Sequence, residues 1–330
     1  MTAPAIDHIA FALTLNGSGS NRGRRLETDA AIATALRGPD PAWLHLQADH
    51  PEADAWIDRH LAYLDPSIRD ALTEPQTRPR ALHVGAGMLL ILRGINTNEG
   101  ADPEDMVSLR LYVDASRIVT LSRRPLSSVE VLADRVRKGR GPQRAGAFLA
   151  DLVEHLTDLV EVHVADLEAR SDELEARAIA DPRPLLRPAV ADQRLELTDL
   201  RRFLVPQRDA LRDVGRAGLP WIEDADERKL AEQLDQITRV TETLEAIREQ
   251  LHAIRDEIEG ARSERLNRNL YVLSVISAVF LPLGFLTGLM GINLAGMPGA
   301  AWTPAFWVFA LGLVGVAAGV LGLLRFFGIL

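Results

Sequence analysis

Two stretches without a single charged residue lie at the end of the chain. They are LYVLSVISAVFLPLGFLTGLM, Leu270 to Met290, and AFWVFALGLVGVAAGVLGLL, Ala305 to Leu324. At ~1.5 Å per helical residue, about 20 residues cover the ~30 Å hydrocarbon layer of a bilayer. Backbone polar groups in lipid must satisfy one another, so both stretches predict membrane-spanning helices. The short segment between them, residues 291–304, predicts a hairpin with both ends on one side.

Upstream the pattern changes period. Residues 6–15 (IDHIAFALTL) and 42–46 (AWLHL) read as strands, and Pro51 to Leu64 as a helix with proline in its first turn. RALHV and MLLILRGIN flank Gly85-Ala86-Gly87, and MVSLRLYVD and RIVTLSR flank Ala115-Ser116; both are hairpin signatures. Helical spacing returns over residues 127–138. Gly139 to Pro142 marks a linker, and the chain beyond it is helical. Asp181-Pro-Arg-Pro184 ends one helix, LTDLRRFLVPQRDAL (Leu197 to Leu211) belongs to the next with a kink expected at Pro206, and Gly218-Leu219-Pro220 breaks again. From Trp221 no proline occurs before Pro282. Leu230, Leu234, Ile237, Val240, Leu244, Ile247, Leu251, Ile254 and Ile258 follow a near-heptad spacing. One helix of about 70 residues, on the order of 100 Å, is expected to run into the first span. The alternative is a break at Gly260, giving a stalk and a separate anchor.

The expected architecture is an α+β cytoplasmic domain with a mixed or antiparallel sheet (residues 1–138), a helical region (139–220), a long stalk helix (221–269) and a transmembrane hairpin (270–330). The hairpin divides into spans 270–290 and 305–324 around an outer loop, 291–304. Positive residues Arg262, Arg265 and Arg268 precede the first span and Arg325 follows the second, while the loop is uncharged. Both termini are therefore expected in the cytoplasm. The start of the chain has no basic segment followed by a long apolar core, so no secretory signal is expected.

The first span carries a seam. Steps of three and four from Asn267 reach Leu270, Ser274, Ser277, Leu281, Gly284, Gly288 and Gly291, mostly small or polar positions on an otherwise bulky helix. Such a stripe is either a small-xxx-small packing edge or a pore wall. Two spans cannot enclose a pore, so the second reading requires several chains around an axis. Gly312, Gly315, Gly319 and Gly322 give the second span a glycine stripe of its own, suited to accept the back of the first.

With the seam in view, the span end FLPLGFLTGLMGIN resembles the CorA superfamily of divalent-cation transporters, which carry a Gly-Met-Asn signature at this place. The triplet here is Gly291-Ile292-Asn293, with Pro282 eleven residues before Asn293. The isoleucine variant followed by AGMPG looks like the ZntB branch, associated with zinc. The resemblance covers the whole layout and implies a homopentameric funnel whose first spans line the pore. It implies that Gly291, Ile292 and Asn293 form the outer mouth, where carbonyls and amide oxygens hold a hydrated cation. It also matches Asn267, Leu273 and Leu281 to positions that line or narrow the inner pore. The seam reaches Ser274 rather than Leu273; one residue of helix rotation reconciles the two. The family's magnesium-type members often carry acids in the outer loop, and this loop has none, which favours the zinc-type assignment. The zinc branch is discussed as proton-coupled, yet from Asn269 to Leu324 there is no Asp, Glu, His, Lys or Arg, and Tyr271 is the one titratable side chain.

Composition narrows the rest. A net charge of −9 argues against nucleic acid as a partner, and the absence of cysteine excludes disulfides and thiolate metal sites. GSGSNRG (Gly17 to Gly23) fails as a phosphate loop, since Arg22 stands where the third glycine belongs. His45, Asp49 and His50, with Asp54 and His60, form a weak metal candidate that helix capping and packing explain as well. His155 and His163 lie two turns apart, too far for one ion. The acidic stretch from Asp151 to Glu175 is either a solvated face or a lure for cations. No nucleophile–base motif points to an enzyme, and no cofactor is expected; a divalent ion enters as cargo. The expected partners are further copies of the chain, divalent ions and lipid. The competing readings are a magnesium, cobalt or nickel channel of the same build, and a membrane-anchored coiled-coil scaffold or sensor.

Overall fold

The computed structural model describes residues 8–15, 23–75, 77–181, 184–292, 299 and 302–328. The first residues of the expected N-terminal strand, the glycine–serine loop over 16–22, and Asn293 with residues 294–298 lie outside the described residues. In chain order the elements are β1 (Ile9–Thr14), α1 (Asp29–Arg37), β2 (Ala42–Gln47), α2 (Pro51–His60), α3 (Pro66–Thr73), β3 (Arg80–Val84), β4 (Gly87–Gly94), β5 (Val107–Val113), β6 (Arg117–Ser122), α4 (Ser127–Arg137), α5 (Ala145–Ala180), a 3-10 turn (Pro184–Leu186), α6 (Arg187–Arg216), α7 (Asp224–Met290) and α8 (Ala305–Phe326). They fall into two compact units: Met1–Asp181 with Leu185–Arg255, and Pro182–Pro184 with Asp256–Leu330.

The first unit holds a six-stranded sheet in the order β1-β2-β6-β5-β4-β3. Every neighbouring pair is antiparallel except β2 with β6, which run parallel from Ala42↔Arg117 to Gln47↔Ser122. The two hairpins β3–β4 and β5–β6 are antiparallel, as their signatures lead one to expect, and the parallel β2–β6 pair makes the sheet mixed. The β3–β4 turn is Gly85-Ala86, with Gly85 at φ +63°, a conformation that costs glycine least. At the β5–β6 turn, Asp114 Oδ1 accepts from the amides of Ser116 (3.0 Å) and Arg117 (2.9 Å), closing a side-chain turn.

Both faces of the sheet are covered, which is why Met88 to Leu92 reads as an unbroken apolar run and is buried throughout. Successive residues point to opposite faces. Leu44 joins Ile32, Leu36, Trp56, Ile57 and Leu72 of α1–α3 in one core cluster. Its neighbour Trp43 packs edge-on against Phe148 of α5, ring centroids 4.7 Å apart.

One local expectation needs correction. The helix expected over Pro51 to Leu64 ends at His60: Leu61 caps it through Ile57 O, and Asp65, bonded to the Ser67 amide at 2.8 Å, starts α3 with Pro66 in its first turn. Helix α1 has no counterpart in the sequence reading; Thr28 caps it through the Ala31 amide at 3.2 Å. The continuous helix expected through Gly260 is found, α7 running to Met290 without the break considered as its alternative. Helix α6 likewise continues through Pro206.

Helices α5 and α7 run parallel in heptad register. Lys229 Nζ meets Asp151 Oδ1 at 2.7 Å, Gln236 meets Asp158 at 3.2 Å, and Gln250 meets Asp172 at 2.9 Å. Each pair is 78 residues apart, and the α7 partners step by seven and fourteen. Gln236 and Gln250 also donate to Glu161 (2.6 Å) and Glu175 (2.7 Å). Much of the acidic stretch of α5 is therefore committed to holding α7. Gly146 at the start of α5 allows close approach there: an added Cβ would lie 2.4 Å from Asp226 Oδ2 and 2.9 Å from Trp221 O.

A polar network crosses the sheet interior. Trp43 Nε1 donates to Thr120 Oγ1 at 2.8 Å, and Thr120 donates its one proton to Leu44 O at 3.2 Å. His45 Nδ1, 2.9 Å from the same oxygen, must then be the donor in that pair. Burial pushes the His45 imidazole from 6.5 down to about 4, with the backbone of Thr120 partly opposing it. The unfolded chain takes up this proton below pH 6.5 and the folded chain does not, so the associated stability is complete above 6.5 and is lost as pH falls toward 4, by a quantity on the order of 3 kcal/mol. In thermal unfolding of the full chain in detergent, His45→Phe should flatten the acid-side loss of Tm between pH 6.5 and 4. Equal slopes for both proteins would contradict this assignment.

Candidate functional site

The second unit contains the apolar part of α7 and all of α8, both long and apolar enough to cross a membrane. On α7 the seam residues Asn267, Leu270, Ser274, Ser277, Leu281, Gly284, Gly288 and Gly291 are all exposed in the single chain, and so is Leu273. At 100° per residue they occupy one edge of the helix, with Leu273 on its flank. From Asn267 to Gly291 that edge is about 36 Å long, enough to cross the ~30 Å hydrocarbon layer. Ser274 Oγ donates to Leu270 O at 2.8 Å, and Thr287 Oγ1 reaches Leu283 O at 2.9 Å. Pro282 has no N–H, so Ala278 O lacks its usual helical donor, yet the helix continues.

Helix α7 ends in a turn in which the Gly291 amide donates to Thr287 O (2.9 Å) and Gly288 O (3.1 Å). The aligned peptide dipoles place roughly half a negative charge at this end. Ile292 follows, exposed, and Asn293 is the first of the residues outside the description. A helix C-terminus offers backbone carbonyl oxygen to whatever approaches. Oxygen suits a hard or hydrated cation.

Among the described residues of one chain, the glycine stripe of α8 does not receive the first span. A Cβ added at Gly312, Gly315, Gly319 or Gly322 would meet no atom within 4 Å, and the same holds for Gly284 and Gly288. Trp302 and Trp307 flank the start of α8 and Arg325 lies in its last turn. That distribution suits a span whose two ends sit in different interfaces.

The histidine candidates go elsewhere. His45 is buried in the network with Thr120. His50 caps α2, its Nδ1 accepting from the Glu52 amide at 3.1 Å. Among the described residues the donor atoms of His45, Asp49 and His50 do not converge; the group that does is Glu104, His163 and Glu196, with ligand atoms within 4.8 Å of one another. Sequence reading missed this trio because its members come from a loop, α5 and α6. Arg170 already grips Glu196 through two bonds of 2.7 and 3.0 Å, and His163 Nε2 lies 3.1 Å from Glu196 Oε1. Burial alone would raise the Glu196 carboxyl; His163 and Arg170 outweigh it and hold it at about 2. The arginine fork already occupies the carboxylate oxygens, so Glu196 serves first in an ion-pair tie with Arg170 between α6 and α5.

Comparison with known proteins agrees with this arrangement. Residues 39–325 match the model of the family described as CorA-like Mg2+ transporter protein. The chain is 38% identical over 316 residues to the divalent cation transporter CmaX of Pseudomonas aeruginosa, covering 94% of this chain and 93% of that one. It is 32% identical over 315 residues to the zinc transport protein ZntB of Yersinia enterocolitica, covering 96% and 94%. The solved structure of full-length CmaX superposes with a TM-score of 0.82 at 37% identity, over 97% of each chain. The likeness to CmaX spans the α/β unit, the long helix and the second apolar helix, and the chain belongs to the CorA-like Mg2+ transporter protein family.

Proposed function

We propose that this protein carries divalent metal ions, zinc foremost, across the cytoplasmic membrane through a central pore built by five copies of the chain. The first spans surround the axis, with the seam from Asn267 to Gly288 turned inward and the triplet Gly291-Ile292-Asn293 at the outer mouth. Leu273 and Leu281 narrow the conduit by excluding water. The amide oxygen of Asn293 hydrogen-bonds to water on the ion and leaves the hydration shell in place, which a ring of carboxylates would bind too tightly to release. The observation that carries this reading is the uninterrupted helix that holds the whole seam on one edge and ends directly at the triplet.

Zinc is favoured over magnesium by the isoleucine in the triplet, by the uncharged outer loop and by the likeness to ZntB. Both termini lie in the cytoplasm, as the arginines before the first span and after the second require. The membrane potential supplies the driving force: a doubly charged ion moving inward gains about 4–5 kcal/mol per 100 mV. No carboxylate, histidine, lysine or arginine in the spans offers a proton relay.

Two outcomes are expected. Asn293→Ala should lower zinc flux into liposomes more than tenfold while the variant still elutes as the intact oligomer; unchanged flux would place selectivity elsewhere or favour a mere anchor. Collapsing the pH gradient at constant potential should leave wild-type flux within about twofold, whereas collapsing the potential should abolish net uptake against a zinc gradient. Flux that follows the pH gradient instead would require a proton site in the first unit.

A further inference from the structure

At one edge of the sheet, where β3, β4 and β5 meet α6 and the segment after α3, lies a cavity of about 660 Å³. That volume is in the range of small-molecule sites. The protein as a whole carries a net charge of −9, yet this cavity is lined by seven arginines and only two carboxylates, Glu74 and Asp105. Both carboxylates are engaged at the rim: Glu74 with Arg80 at 3.0 Å, and Asp105 with Arg124 at 2.6 Å. Arg78, Arg93, Arg110, Arg123 and Arg202 have no carboxylate partner among the described residues.

Two of these five form the floor. Arg110, on β5, is 1% exposed. Its Nη2 donates to Glu74 O at 2.7 Å, but Nε and Nη1 are buried without a hydrogen-bond partner among the described residues. Arg93, on β4, donates to Met106 O and Thr77 O, both at 2.8 Å, lies over the Phe203 ring at 4.2 Å, and leaves its Nε unpartnered. A buried guanidinium with unsatisfied N–H groups is unfavourable unless an anion comes to it. The like charges crowd one another as well: burial, then Arg123 and Arg93, push the Arg110 guanidinium down to about 10, and burial and Arg202 lower Arg93. Arg78, Arg123 and Arg202 stand exposed around the opening. Nothing in the packing of the sheet calls for this concentration of positive charge, since an apolar residue at position 110 would fill a core site between Ile91 and Leu121.

We propose that this cavity is a binding site for a small anion bearing several phosphates, either a nucleotide or an inorganic polyphosphate. Arg110 and Arg93 receive one phosphate group at the floor, and Arg78, Arg123 and Arg202 hold the rest of the chain at the rim. Guanidinium forks match phosphate oxygens in pairs, and several forks around one volume suit a multivalent ligand better than a single chloride or carboxylate. This proposal does not rest on the transport reading and is tested by binding alone.

The test is calorimetric titration of the full-length protein in detergent, in metal-free buffer at 150 mM salt, with ATP and with inorganic tripolyphosphate. Saturable binding of at least one is expected, weakened at least tenfold in the paired variant Arg123→Ala/Arg202→Ala, whose side chains are exposed and whose loss leaves the core intact. Arg59→Ala on α2 should bind as the wild type does. Tighter binding of ATP would mark a nucleotide, and equal binding the phosphate chain alone. No binding of either probe, or binding that the paired variant leaves unchanged, would overturn the proposal.

Discussion

A hydrophobic helix that carries a continuous edge of mostly small and polar residues cannot present it to acyl chains without penalty. Hydroxyls and amides in lipid seek partners, and a missing side chain at glycine forgoes dispersion contacts. The apolar end of α7 carries such an edge from Asn267 to Gly291, and none of the described residues of the single chain covers it. The remaining sources of cover are other copies of the chain and water. A pore uses both: neighbouring spans flank the edge, and the enclosed water solvates it. The uncapped glycines of α8 point the same way, since they lack a partner in the single chain.

The soluble end of α7 is held by different physics. Its apolar heptad positions, Ile237, Leu244, Ile247, Leu251 and Ile254 among them, are buried. Around them Lys229, Gln236 and Gln250 meet carboxylates of α5 at the same 78-residue offset, and Arg201 of α6 pairs with Glu245. Hydrophobic burial gives this bundle most of its stability, while the repeated polar contacts set its register; a slip of one residue would unpair all of them at once. Surface ion pairs of this kind contribute little singly. Their role here is specificity of alignment.

Much of this was legible in the sequence because the signals were periodic. The two spans, the heptads after Trp221 and the glycine turn at Gly85 all declare themselves by spacing, and each is found where spacing puts it. Short elements were not legible. Helix α1 buries only Ile32 and Leu36, and α3 buries Ile68, Ala71 and Leu72, too few positions to define a period. The parallel pairing of β2 with β6 joins strands 75 residues and more apart, and no local pattern encodes it. The histidines drew attention as metal ligands because residue type shows in sequence and hydrogen bonding does not; His45 is satisfied by Thr120 and His50 by its own helix. The arginine-lined cavity was invisible for the same reason. Its members are scattered from Arg78 to Arg202, and each alone reads as an ordinary surface charge.

The central claim is that the seam of α7 faces water while its opposite face does not. The chain has no cysteine, so single thiols can be introduced without background. Cysteines at Ser274 and Ser277 should react with a membrane-impermeant thiol reagent in proteoliposomes and lose zinc flux on reaction. Cysteines at Val279 and Leu286, about half a turn away, should remain unlabelled. Labelling on both faces alike, or on Val279 and Leu286 alone, would contradict the account.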